Sequence, residues 1–215
     1  MKLLLVGSTG LVGRHVLELA LADERVTEVV APVRRALPAH PRLSAPCIDY
    51  RQMPEDADWW RADAVICTLG TTMKVAGSQA AFREVDHDYP LAVARLAHRH
   101  GTPAYVLNSA TGASVSSRFF YNRVKGELER DLTELGFSSL TLVRPGLIGG
   151  QRDEYRRGEQ RMLKVLGVLD PLLPKRWRIN PASNIAAALL AAALTPQPGV
   201  QVIPAERLVA LRADG

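Results

Sequence analysis

Apolar residues arrive in short unbroken runs along this chain, with amphipathic stretches between them. Lys2–Val6, Val26–Val33, Ala45–Asp49, Ala64–Leu69, Ala104–Asn108 and Leu140–Val143 are such runs, and Val200–Ile203 is a candidate seventh. Runs this short, apolar on successive residues, predict strands covered on both faces, as in a parallel sheet. Leu11–Ala22, Ala80–His100 and Tyr121–Leu135 instead repeat their apolar residues at helical spacing. Gly101 and Gly136 follow two of them, where a left-handed residue closes a helix. The Ala-rich IAAALLAAAL from Ile185 is only about ten residues long, which predicts a packed helix and not a membrane span.

Strand and helix thus alternate from end to end. That rhythm predicts an α/β chain: a doubly wound Rossmann fold with a mostly parallel sheet. The length fits a single domain over residues 1–215. The stretch from about 145 to 181, rich in Pro and Arg, keeps the rhythm least. It is expected to form a small substrate lobe over the carboxyl ends of the strands, where such sheets bind ligands.

Composition adds exclusions more than identity. The chain is 47% hydrophobic and 23% charged, ordinary for a globular protein. MKLLLV is too short for a signal segment and no apolar run reaches membrane length, so cytosolic residence and no membrane partner are expected. Cys47 and Cys67 lie in strand-like runs and are expected to be buried free thiols; no His and Cys cluster has zinc spacing, so no metal is expected. The net charge is +5, and residues 151–178 carry eight basic and four acidic side chains. Solubility, an anionic small molecule and nucleic acid each account for a basic segment. Nucleic acid is not expected as a partner, since no motif for it is present and aromatics are only 6%.

The first strand runs into GSTGLVG: Gly7, Ser8, Thr9, Gly10, Leu11, Val12 and Gly13. A glycine-rich turn between a strand and a helix is a phosphate-binding context. Gly7 permits the tight turn, Gly10 lets backbone N–H groups approach a pyrophosphate, and Gly13 allows close helix–sheet packing. A nicotinamide dinucleotide is the expected cofactor. An acid at the end of the second strand would bind the ribose hydroxyl of NADH. VVAPVRRALP carries Arg34 and Arg35 there instead, which suit a 2′-phosphate and predict NADPH over NADH.

Ser109 stands just past the fifth strand, Tyr121 opens the next helix, and Lys125 is one turn further on the same face. A free phenol ionises too high to exchange protons near neutrality, and an ammonium beside it favours the phenolate. A serine hydroxyl can orient and polarise a carbonyl. The three residues predict a hydride-transfer site in which Tyr121 exchanges the proton, Lys125 tunes it and holds the cofactor ribose, and Ser109 aligns the substrate.

The glycine spacing and this Ser…Tyr-x-x-x-Lys order resemble the short-chain dehydrogenases, particularly their extended and atypical members. LGTT followed by Lys74, Ala76–Gly77, VDHDY, YNRVKGELE, RPG at Arg144–Gly146 and RDEYRRGE at Arg152–Glu159 look like the Tat-interacting-protein family of atypical short-chain dehydrogenases. The likeness covers roughly residues 1 to 190. It implies an NADPH-bound Rossmann domain with an oxidoreductase assignment acting on a small molecule; some members are described as regulators working through protein partners. It also implies that Leu69 and Gly70 pass along the cofactor. Asp49 either touches the adenine, as the family aspartate does, or is a turn residue. Asp86 stands where the family places a catalytic Asn, and His87, Asp88 and Tyr89 beside it read as capping and packing residues. Thr71–Ser78 has two readings, a lid over the nicotinamide or an ordinary loop. The functional alternatives are an NADPH-dependent oxidoreductase of unidentified carbonyl or alcohol substrate and a non-catalytic NADPH sensor. The sequence carries no signal for an oligomeric state.

Overall fold

The computed structural model describes residues 1–149 and 179–210. Seven strands form one sheet in which every pairing is parallel. In chain order they are β1 (Lys2–Val6), β2 (Glu28–Val30), β3 (Leu43–Ser44), β4 (Ala64–Cys67), β5 (Ala104–Asn108), β6 (Ser139–Arg144) and β9 (Gly199–Pro204). Their order across the sheet is β3-β2-β1-β4-β5-β6-β9. The chain therefore reverses direction between β1 and β4, and the carboxyl ends of those two strands flank the crevice where such sheets bind ligands. β7 (Ile148–Gly149) and β8 (Asn180–Pro181) form a separate parallel pair. The expected lobe lies almost entirely outside the described residues; this pair brackets it.

Side chains of a strand alternate between faces, and β1 shows the division. Leu3 and Leu5 join Val16 of α1 (Leu11–Ala22) and Ile185 and Leu189 of α6 (Ala182–Leu194) on one side. Leu4 and Val6 join Leu91 and Val93 of α4 (Tyr89–Arg99) and Leu128 and Leu132 of α5 (Phe120–Leu135) on the other. Each of these buried side chains contributes about 1.5–3 kcal/mol. The order is completed by α2 (Met73–Ala76), α3 (Gln79–Arg83) and α7 (Ala205–Ala210). No helix among the described residues is long and apolar enough to cross a membrane.

Three expectations are corrected. The third strand is Leu43–Ser44 and not Ala45–Asp49; only a bridge from Val33 to Cys47 continues the pairing. Pro46 interrupts that run and has no N–H for a ladder. Cys67 is buried as expected but Cys47 is exposed, because its segment lies at the sheet's edge. The single helix expected over Ala80–His100 is two helices, α3 and α4, joined by a π turn at Glu84–Asp88. Pro90 accounts for the break: it cannot donate to the Asp86 carbonyl four residues back, so the backbone widens there. The helix ends follow expectation. Gly101 and Gly136 have φ of +85° and +75°, and Thr102 N–H reaches back to the Ala97 carbonyl at 3.0 Å.

Candidate functional site

The glycine loop is shaped by contacts that leave no room for a Cβ. Gly7 has φ of +87°, and a Cβ there would stand 2.7 Å from the Thr68 backbone. One on Gly13 would stand 2.1 Å from the Gly7 carbonyl oxygen. Thr68, just past β4, is the peg between them: its hydroxyl lies 3.0 Å from the Val6 carbonyl and 3.1 Å from that of Gly7. Gly10 N–H donates to the Gly7 carbonyl at 3.0 Å and closes the turn. α1 starts at Gly10 with no side-chain cap and no acid in its first turn. Its first N–H groups are thereby left for an external anion. Ser8 is 1% exposed, and its hydroxyl has no partner in the protein. A loop pressed this tightly, with a buried orphan hydroxyl and an uncapped helix, fits the diphosphate of a dinucleotide. Thr9, Leu11 and Val12 complete it.

Arg34 and Arg35 follow Val33 past the end of β2 and are exposed. Beneath them Tyr50 donates to the Pro32 carbonyl at 2.8 Å and stacks on Tyr89 at 5.7 Å. Burial pushes the Tyr50 phenol up, the nearby Arg34 opposing it. Asp49 is exposed, and its Oδ1 accepts the Arg51 N–H at 2.9 Å. Leu69 and Gly70 leave β4 beside the loop; a Cβ on Gly70 would stand 3.3 Å from Asp86 Oδ1. The stretch after them is built as the short helix α2, capped by Thr72 and ended by Gly77 at φ +75°, with Lys74 exposed.

α5 brings the next group together. Its first turns lie against the loop after β5, where Ser114 N–H donates to the Asn122 carbonyl at 3.0 Å. Gly126 permits the approach, since a Cβ there would fall 2.2 Å from the Ser114 backbone. Tyr121 is then at the rim, 40% exposed, edge-on to Phe82 at 5.8 Å. Lys125, one turn on, is 3% exposed, and its ammonium lies 2.8 Å from Asp86. Burial alone would drive that ammonium down; Asp86 and Tyr121 outweigh it and hold it above its ordinary value. Asp86 also accepts the Thr71 N–H at 2.7 Å. His87, next to it, bridges Asp88 at 2.7 Å and Asp131 of α5 at 2.9 Å.

Ser109 is buried past the end of β5, its N–H bonded to Val143 at 2.7 Å. Its hydroxyl donates to Glu129 at 2.5 Å. Glu129, buried one turn beyond Lys125, also takes the Arg144 guanidinium in two hydrogen bonds. In this structure the single Ser109 proton is committed to the Glu129 carboxylate. Thr68, Tyr50 and Glu129 are the residues the sequence reading missed. The four-residue step from Lys125 to Glu129 was the one available signal. Among the described residues no cluster of His, Cys, Asp and Glu could hold a metal.

No family model matches the chain. Individual relatives do. The protein fmp52, mitochondrial, of Emericella nidulans is 39% identical over 165 residues, 72% of this chain and 70% of its own. HTATIP2 of Rattus norvegicus, a Tat-interacting protein, is 32% identical over 203 residues, 91% of this chain and 82% of its own. The chain belongs to the Tat-interacting-protein family of atypical short-chain dehydrogenases. Solved structures agree on the fold. MoeE5, bound to UDP-glucose and NAD, superposes with a TM-score of 0.73 at 15% identity, covering 98% of this chain and 80% of that one. The oxidoreductase ylbE of Lactococcus lactis gives 0.67 at 18%, covering 98% and 96%. The family is of short-chain dehydrogenase type, and neighbours that share its fold are solved with NAD bound. The expectation of cytosolic residence is overturned, because the fungal relatives are named mitochondrial proteins.

Proposed function

We propose that this chain is an NADPH-dependent oxidoreductase that interconverts a carbonyl and an alcohol on a small molecule. What carries the reading is the buried Lys125 ammonium one turn from Tyr121, at the sheet edge that the glycine loop also faces. Residues 7–13 would hold the diphosphate, with the α1 N-terminus facing its charge. Arg34 and Arg35 would hold a 2′-phosphate. Lys125 would donate to the nicotinamide ribose. The chemistry a bound NADPH supplies is hydride to the carbonyl carbon.

The protein's own part is the proton. Tyr121 gives it to the carbonyl oxygen in reduction and takes it back in oxidation. Lys125 keeps positive charge beside the phenol throughout. Ser109 turns from Glu129 to the substrate oxygen when substrate binds, and Glu129 keeps Arg144.

Fluorescence titrations with NADPH and NADH on the purified protein test the cofactor half of this reading. Tighter binding of NADPH is expected. Equal or tighter binding of NADH would refute the role of Arg34 and Arg35, and binding of neither would refute the whole reading.

A further inference from the structure

The sheet ends differently on its two sides. On one side the edge strand, β3, is two residues long. On the other it is β9, six residues from Gly199 to Pro204, with no charged side chain among them. Shortness and charge are common protections of an edge, and β9 has neither. Nothing among the described residues pairs with its outer side. Val200 and Val202 continue the apolar row of Leu140 and Leu142, their partners on β6. The two leucines are buried, whereas Val200 and Val202 stay 48% and 42% exposed. On the face of Thr141 and Gln201 a groove of about 370 Å³ runs between β9 and α6, walled by Ala188 and Ala191. The strand also reads almost alike in both directions. Pro198-Gly199-Val200-Gln201-Val202-Ile203-Pro204 departs from symmetry about Gln201 only where Gly199 answers Ile203.

The backbone shares that symmetry. Gly199 N–H donates inward to the Ser138 carbonyl at 2.9 Å. Alternation along the strand turns Gln201 inward too, and leaves the N–H and C=O groups of Val200 and Val202 facing outward. Two residues beyond these on either side stand Pro198 and Pro204, which have no N–H to give. We propose that β9 is a homodimer edge: it pairs antiparallel with β9 of a second copy, about a two-fold axis at Gln201. Val200 then stands opposite Val202 of the second copy and exchanges both backbone hydrogen bonds with it, and the axis repeats the pair. The valines of both copies meet on one face, and the two grooves adjoin across the axis on the other. The prolines end the ladder on both sides, and two seven-stranded sheets become one. An uncharged strand suits an isologous contact, in which each side chain also faces its own kind. A foreign strand gains nothing from the symmetry about Gln201; a second copy does.

Sedimentation velocity on the whole chain tests it, without substrate or cofactor. A species of twice the chain mass is expected. Val200→Lys/Val202→Lys, at two positions already exposed, is expected to sediment as a single chain with an unchanged circular dichroism spectrum. Wild type that stays monomeric up to its highest soluble concentration overturns the proposal. So does a dimer that survives both lysines, since it would be built on another face. Oxidative cross-linking reads the register separately, in a Cys47→Ser background that removes the exposed thiol. The two Gln201 residues would form a non-hydrogen-bonded pair with Cα atoms about 4.5 Å apart, within reach of a disulfide. Gln201→Cys is therefore expected to give a disulfide-linked dimer. Val200→Cys is not, because its two copies lie diagonally across the axis. No link through Gln201→Cys, or one as efficient through Val200→Cys, overturns the proposal. Should the lysine variant fail to fold, the cross-linking decides alone. Each of these results reads the same whether or not the protein binds NADPH.

Discussion

The Lys125–Asp86 contact shows at single-residue scale how much one pairing decides. Replacing Asp86 by Ala leaves a buried ammonium without its carboxylate. About 3–5 kcal/mol of stability should be lost, read as a lower denaturant midpoint. Arg34 and Arg35 are exposed, so Arg34→Ala/Arg35→Ala should leave the fold unchanged. NADPH affinity should fall about ten- to a hundredfold, as expected for charge-assisted hydrogen bonds, while NADH affinity holds. Equal losses for both cofactors would remove the two arginines from the 2′-phosphate site. Residues at this scale were legible where their spacing is local. Gly7, Gly10 and Gly13 fall in one turn, and Tyr121 and Lys125 fall on one helix face. Their partners come from distant segments: Thr68 beneath Gly7 and Gly13, Asp86 against Lys125, and Ser109 against Glu129. No periodicity in one segment reports on a contact with another, which is why Glu129 passed as an ordinary helix residue.

Among the elements, α5 has the most to hold in place. Gly126→Ala would push it off the Ser114 backbone, and overpacking of this kind costs about 1–3 kcal/mol. Tyr121 would move with the helix, so a lower melting temperature and weaker turnover should appear together. The π turn is tied to the same helix through His87 and Asp131. Burial pushes the Asp131 carboxyl up, but Arg130 and His87 outweigh it and hold it below its ordinary value. A depressed carboxyl contributes stability that is complete above its unfolded value and is lost as pH falls through the folded one. Wild type and Asp131→Asn should therefore differ near neutrality and converge in acid. A constant difference would show that the contact is not ionic. The turn itself was not legible. It adds width to a helix without altering which residues are apolar, and only Pro90 marked the place.

For the whole molecule, the parallel order β3-β2-β1-β4-β5-β6-β9 gathers the glycine loop, the turn after β4, Ser109 and the start of α5 at one edge of the sheet. That architecture was readable because buried parallel strands leave unbroken apolar runs and their crossover helices leave amphipathic ones. Residence was not readable from the same signals, as the mitochondrial names of the fungal relatives show. A groove of about 370 Å³ at the far strand, lined by Ala188, Val202 and Arg207 among others, shares no residue with the site. The central claim is that Tyr121 moves the proton in that site. It is tested most directly by NADPH consumption across a panel of aldehydes and ketones, comparing wild type with Tyr121→Phe. Wild type should consume NADPH with at least one of them. The variant should lose about a hundredfold or more of that rate while its NADPH titration is unchanged. A Tyr121→Phe protein that consumes NADPH at the wild-type rate would contradict the account.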